Sequence, residues 1–237
     1  EAEQPLILSD ALKTAFLGVL KNASEDSALI ALTITLPDLT YIGEQFSVIN
    51  VDAVYHVHQW LRVALAQTHE FELSVLYQRL EEGGRKVYRY HKDDIACRKL
   101  KNACLRYLTL LPNGFELAKS QYERQHNMTD VLAALEAISH TDHAERPACL
   151  QHFYDKWRED TLVLDKWFTL QAASHHRHAL EHVRELVEHV DFVYTNPNRV
   201  RSVLGVFGRL NLLGFHRADG LGYEFLAEQV IKLDAIN

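Results

Sequence analysis

With 14 histidines in 237 residues, metal ligation is the first chemistry to consider. His178-Ala179-Leu180-Glu181-His182 reads His-x-x-Glu-His. On a helix, His178 and His182 would lie one turn apart on one face, with Glu181 beside them as a general base for a zinc-bound water. Glu185 or Glu188 would then supply a carboxylate. The competing reading is a solvated helix face, since His175, His176 and Arg177 lead into the segment. The forward order, His-Glu-x-x-His, is absent: His69-Glu70 is followed at the fifth position by Leu73. His56 and His58 are two residues apart and point to different sides of a helix.

Asn196-Pro197-Asn198-Arg199-Val200-Arg201 is a second candidate. A capping Asn followed by Pro opens a helix, and two arginines then crowd its positive end, against the dipole. Either they pair with carboxylates inside the protein, or one guanidinium faces a cavity and holds a carboxylate or carbonyl. Cys97 and Cys104 share one apolar helix face and read as small buried hydrophobes. With Cys149 they make an odd set of 3 lacking Cys-x-x-Cys, which points to a reducing compartment. The glycines at 205, 208, 214, 220 and 222 form no phosphate-cradling loop, and no Gly-x-Ser-x-Gly elbow occurs. Trp157, Trp167 and Phe168 read as core.

The formal charge of −7 argues against a nucleic-acid partner, because phosphate neutralisation needs a basic surface. An apolar share of 47% is enough to bury a core. No apolar run approaches the roughly 18 residues a bilayer demands, so no membrane partner is expected. Glu1-Ala2-Glu3-Gln4 shows no leader pattern, and Met128 is the sole methionine. The expectation is a cytoplasmic piece of a longer chain.

With 10 glycines and 5 prolines, turns are few and helices long. Apolar spacing and caps predict helices at 9–21, 28–36, 38–46, 51–80 with a break near Thr68, and 93–111 opened by Asp93 or Asp94. Further helices follow at 115–125, at 130–139 capped by Asn127 or Thr129, and at 147–157, where Pro147 starts the first turn. The rest are 161–174, 177–189, 196–210 and 220–233. Consecutive short-linked amphipathic helices pack antiparallel. The expected fold is therefore all-α, a superhelical stack of antiparallel helix pairs of the HEAT/armadillo α-solenoid kind, with 1–237 as a single domain. Asp155-Lys156-Trp157 recurs as Asp165-Lys166-Trp167, but ten residues is too short a period for a helix-pair repeat.

Four stretches carry a resemblance: Asp94–Leu108 (DIACRKLKNACLRYL), Asn127–Leu135 (NMTDVLAAL), Asp165–Ala172 (DKWFTLQA) and Asn196–Ser202 (NPNRVRS). The last continues through Phe207, Phe215-His216, Asp219-Gly220 and Gly222-Tyr223. In order and spacing they resemble the C-terminal domain of the bacterial aminopeptidase N family, zinc-dependent alanyl aminopeptidases. The resemblance implies an all-helical, non-catalytic cap that encloses the active-site cleft of a parent enzyme. It places the zinc, its ligands and the N-terminus-binding glutamates upstream, so no cofactor is expected in this chain and none of its residues is catalytic. It also implies further helices beyond Asn237, with another arginine facing the cleft. Arg201 matches a family arginine near the substrate channel, with Asn198 and Arg199 beside it; Arg199 is expected to act structurally. The implied partners are the parent's own catalytic domain and, through it, peptide substrates. Two alternatives stay open: a stand-alone helical-repeat interaction module, and a zinc hydrolase built on His178, Glu181 and His182.

Overall fold

The computed structural model describes residues 5–83, 87–175 and 178–236. The acidic stretch 1–4, Gly84, His176 and Arg177 lie outside the described residues. Every regular element among the described residues is helical, as expected. The chain divides into two compact units, Glu1–Ala137 and Ile138–Asn237.

The first unit holds α1 (Asp10–Lys21), α2 (Ser27–Thr33), α3 (Leu39–Gly43), α4 (Val51–Thr68), α5 (Glu70–Glu82), α6 (Lys92–Leu108), α7 (Gly114–Arg124) and most of α8 (Met128–Ser139). Local side-chain chemistry sets most of the starts. Ser9 accepts from the Leu12 N–H, and Asp38 from that of Tyr41 at 2.7 Å. Asn127 rather than Thr129 caps α8, taking the Asp130 N–H at 3.0 Å. The long 51–80 pattern breaks at His69, which ends α4 and begins α5. Its imidazole is buried and stacks on Phe16 at 5.2 Å.

Two boundaries differ from the sequence expectation, each for a physical reason. The helix before Pro37 stops at Thr33. The Tyr107 phenol takes the Ile34 carbonyl at 2.5 Å, and Leu36 precedes a proline, which disfavours helical backbone there. Burial raises that phenol's pKa to about 12, so it stays a donor. In α6 the cap is His91. Asp94 is engaged by Arg89 at 2.8 and 3.0 Å instead.

Helices α2 and α5 pack on α6, whose Leu100, Cys104 and Leu105 are fully buried. Burial raises the Cys104 pKa to about 12, in keeping with its role as a small hydrophobe. The same helix buries Lys101 and Asn102. The Lys101 ammonium donates to Asp130 and to Glu81, both at 2.7 Å. Asn102 donates to the other Asp130 oxygen at 3.0 Å. Gln121 donates to Asn102 and to the Asp130 carbonyl, each at 2.9 Å, and accepts from Tyr77. The charge is thus neutralised and the lone pairs filled, as a buried ion pair requires.

The second unit holds α9 (Arg146–Trp157), α10 (Thr161–Ala172), α11 (Ala179–Val187), α12 (Pro197–Val200), a π-helical turn at Arg201–Gly205, α13 (Val206–Leu210), α14 (Leu212–Phe215) and α15 (Leu221–Asp234). Its core is built on Phe153, Phe168, Val183, Phe207 and Phe225. The recurring Asp-Lys-Trp triplets do different work. Trp157 lies at the end of α9, with the Lys156 ammonium 5.5 Å over its ring. Trp167 is buried and donates to the Leu150 carbonyl at 2.9 Å. The Phe215–Tyr223 segment joins α14 to α15 tightly. Gly220 has φ +78, a conformation only glycine adopts freely. A methyl group on Gly222 would sit 2.2 Å from the Phe215 carbonyl oxygen.

Removing the Lys101 ammonium would leave Asp130 and Glu81 facing each other in a dry interior. Lys101→Ala is expected to lower stability by about 3 kcal/mol, read from the midpoint of urea unfolding. A loss below about 1 kcal/mol would show that water replaces the ammonium.

Candidate functional site

The two arginines of the 196–201 segment have opposite fates. Asn196 caps the helix through the N–H groups of Asn198 and Arg199, at 3.0 and 3.3 Å. Arg199 turns inward and is 4% exposed. Its Nε donates to Asp165 Oδ1 of α10 at 2.6 Å, and an Nη donates to the Asp191 carbonyl. The guanidinium plane lies 4.8 Å over the Phe168 ring. The Asp191 carboxylate accepts from the Tyr154 phenol at 2.5 Å, a hydrogen bond that raises the Tyr154 pKa. One buried cation therefore joins α10, the 188–196 loop and α12, and Tyr154 extends the set to α9.

Arg201 lies two residues on and is exposed. Its side chain has no ion pair or hydrogen bond among the described residues, and neither has that of Asn198. Arg201 also opens the π turn: the Val206 N–H reaches back five residues to the Arg201 carbonyl. Such one-turn insertions widen a helix locally and recur at functional positions.

Beneath this segment, His189 packs against Trp167, Tyr154 and Phe168, with ring centroids 5.2, 5.2 and 5.6 Å away. Its Nδ1 accepts from the Asp191 N–H at 3.1 Å, which requires the neutral ring. Burial lowers its pKa below 6.5; nearby Arg199 adds to the shift and Asp191 opposes it.

The His-x-x-Glu-His segment is arranged otherwise. His178 is the residue before α11, with φ −107 and ψ 36, and is not in the helix. Glu181 points to the Arg217 guanidinium at 3.5 Å. His182 contacts Gln171 Oε1 through Nε2 at 3.0 Å and Glu185 through Nδ1 at 3.2 Å. Among the described residues these three side chains are not gathered within reach of one cation. The donor set does not fit zinc, and no chemical step is derived through a metal in this chain.

The sequence reading missed the anchors of Arg199. Asp165 and Asp191 drew no notice, although Asp165 opens a triplet that was noted only for its recurrence. It also missed a hollow of about 450 Å³ in the first unit, walled by Tyr77, Glu81 and Arg124 together with Ser74, Leu108 and Leu117.

Residues 1–237 match the family described as a domain of unknown function with ARM repeats, DUF3458_C. The chain is 39% identical over 236 residues to aminopeptidase N of Escherichia coli, covering 99% of this chain and 27% of that protein. It is 34% identical over 234 residues to aminopeptidase N of Haemophilus influenzae, again covering 99% and 27%. Among solved structures, that of Legionella pneumophila aminopeptidase A in complex with aspartic acid superposes with a TM-score of 0.88 at 28% identity. It covers 99% of this chain and 28% of that one. The chain thus spans little more than a quarter of each relative's length.

Because the fold holds His189 neutral, its contribution to stability is complete above pH 6.5 and is lost as the pH falls toward the lowered folded value. His58 and His69 are lowered by burial too and act in the same direction. Stability measured by urea unfolding is expected to fall from pH 7 to pH 5. His189→Gln keeps an acceptor for Asp191 but does not titrate, so it should make that slope shallower. An unchanged slope would show that His189 titrates alike in both states.

Proposed function

The chain belongs to the DUF3458_C family of ARM-repeat domains and corresponds to a C-terminal part of aminopeptidase N, and we propose that it acts as the non-catalytic helical cap of such a peptidase. In this reading residues 1–237 are one domain of a larger cytoplasmic enzyme that releases N-terminal residues from peptides. The parent's zinc activates water elsewhere in that enzyme. This chain supplies enclosure and a polar wall. Excluding bulk water strengthens charge interactions around a bound peptide, and an unpaired cation on the wall attracts carbonyl oxygens or a C-terminal carboxylate.

One observation carries the assignment of the wall. Arg199 is consumed by internal partners, while Arg201 and Asn198 stand exposed with their polar ends unspent. Of the two readings open for the arginines, each therefore applies to one residue. Arg201 meets the peptide beyond its first residue, Asn198 flanks it, and Arg199 shapes the backbone that carries both.

Two measurements test this reading. The isolated chain should hydrolyse no alanyl p-nitroanilide and hold no stoichiometric zinc by metal analysis; turnover or one tight zinc per chain overturns it. In the full-length peptidase, Arg201→Ala should raise KM for tetra-alanine about tenfold more than KM for the anilide. That corresponds to about 1.4 kcal/mol of lost binding to the distal part of the peptide. Equal effects on both substrates would remove Arg201 from the channel wall.

A further inference from the structure

We infer that Asp165 aims Arg201, acting through Arg199; this rests on the reading that Arg201 meets substrate. Residues two apart on a helix point to different sides. Fixing the direction of Arg199 therefore fixes that of Arg201. The Asn196 cap holds the end of α12 but leaves rotation about its axis free. Arg199 removes that freedom. Its Nε is held by Asp165 at 2.6 Å, its Nη by the Asp191 carbonyl, and its face by Phe168 at 4.8 Å. Of these contacts only Asp165 brings a full negative charge, and it comes from α10, a regular 12-residue helix.

The backbone carries the constraint onward. Ser202 Oγ donates to the Arg199 carbonyl at 2.8 Å, and the π turn begins at Arg201 itself. A turn closed by five residues makes the intervening side chains sensitive to the angle at which the preceding turn enters. Asp165 never touches the peptide. It is a positioning residue, and its loss lets Arg201 sample directions that miss the substrate.

The test is a double-mutant cycle in the full-length peptidase, with tetra-alanine and alanyl p-nitroanilide as substrates. Asp165→Ala should raise KM for tetra-alanine about fivefold, with kcat unchanged. Asp165→Asn keeps an acceptor oxygen for the Arg199 Nε but not the charge, so it should raise KM less; it also serves as the readout if the alanine variant does not fold. The Asp165→Ala, Arg201→Ala double variant should show no larger KM than Arg201→Ala alone. Multiplying effects in the double variant overturn the inference, because Asp165 would then act independently of Arg201. An unchanged KM in the Asp165 variants beside a raised KM in Arg201→Ala overturns it too, and leaves the role of Arg201 standing. An unchanged KM in Arg201→Ala defeats the assignment of Arg201 to the channel wall, and this inference falls with it.

Discussion

A guanidinium removed from water must be met on every side. Its positive charge needs a carboxylate, its N–H groups need acceptors, and its flat faces need something other than solvent. Arg199 finds all three, from helix α10, from the loop after α11 and from the Phe168 ring. That demand organises the second unit. The Asp191 carbonyl serves Arg199 while its carboxylate receives Tyr154 and its N–H meets His189. A change in any one of these groups is felt by the helix that carries Asn198 and Arg201.

The first unit solves a related problem with an ammonium. Lys101 sits between two carboxylates, and neutral amides from Asn102 and Gln121 complete the set. The two buried cations account for much of the family resemblance. Lys101, Asn102 and Asp130 belong to the first two resembling stretches, and Asp165 and Arg199 to the third and fourth. Motifs separated in sequence are therefore pairs that meet in space: 28 residues separate Asn102 from Asp130, and 34 separate Arg199 from Asp165.

What the sequence disclosed follows from the range of the forces involved. Ser9, Asp38, Asp160 and Asn196 act on N–H groups two or three residues away, so their caps were legible from type and spacing alone. The all-helical class was legible for the same reason. The π turn was not, because nothing in Arg-Ser-Val-Leu-Gly differs from an ordinary helical run. The partner of Arg199 was not legible either, since electrostatic pairing across 34 residues leaves no local trace. His178 failed as a helical ligand through one ψ angle at the start of α11, which the residue pattern does not encode.

The wide turn at Arg201–Gly205 has a consequence for how this chain tolerates insertion and deletion. It contains one residue more than the regular pitch needs. Excising a single residue there would restore an ordinary spiral, yet it would swing everything that follows by about 100°. Phe207, now sealed in the core, would swing out of it. The local chain length is therefore fixed, although no side chain in the turn announces it.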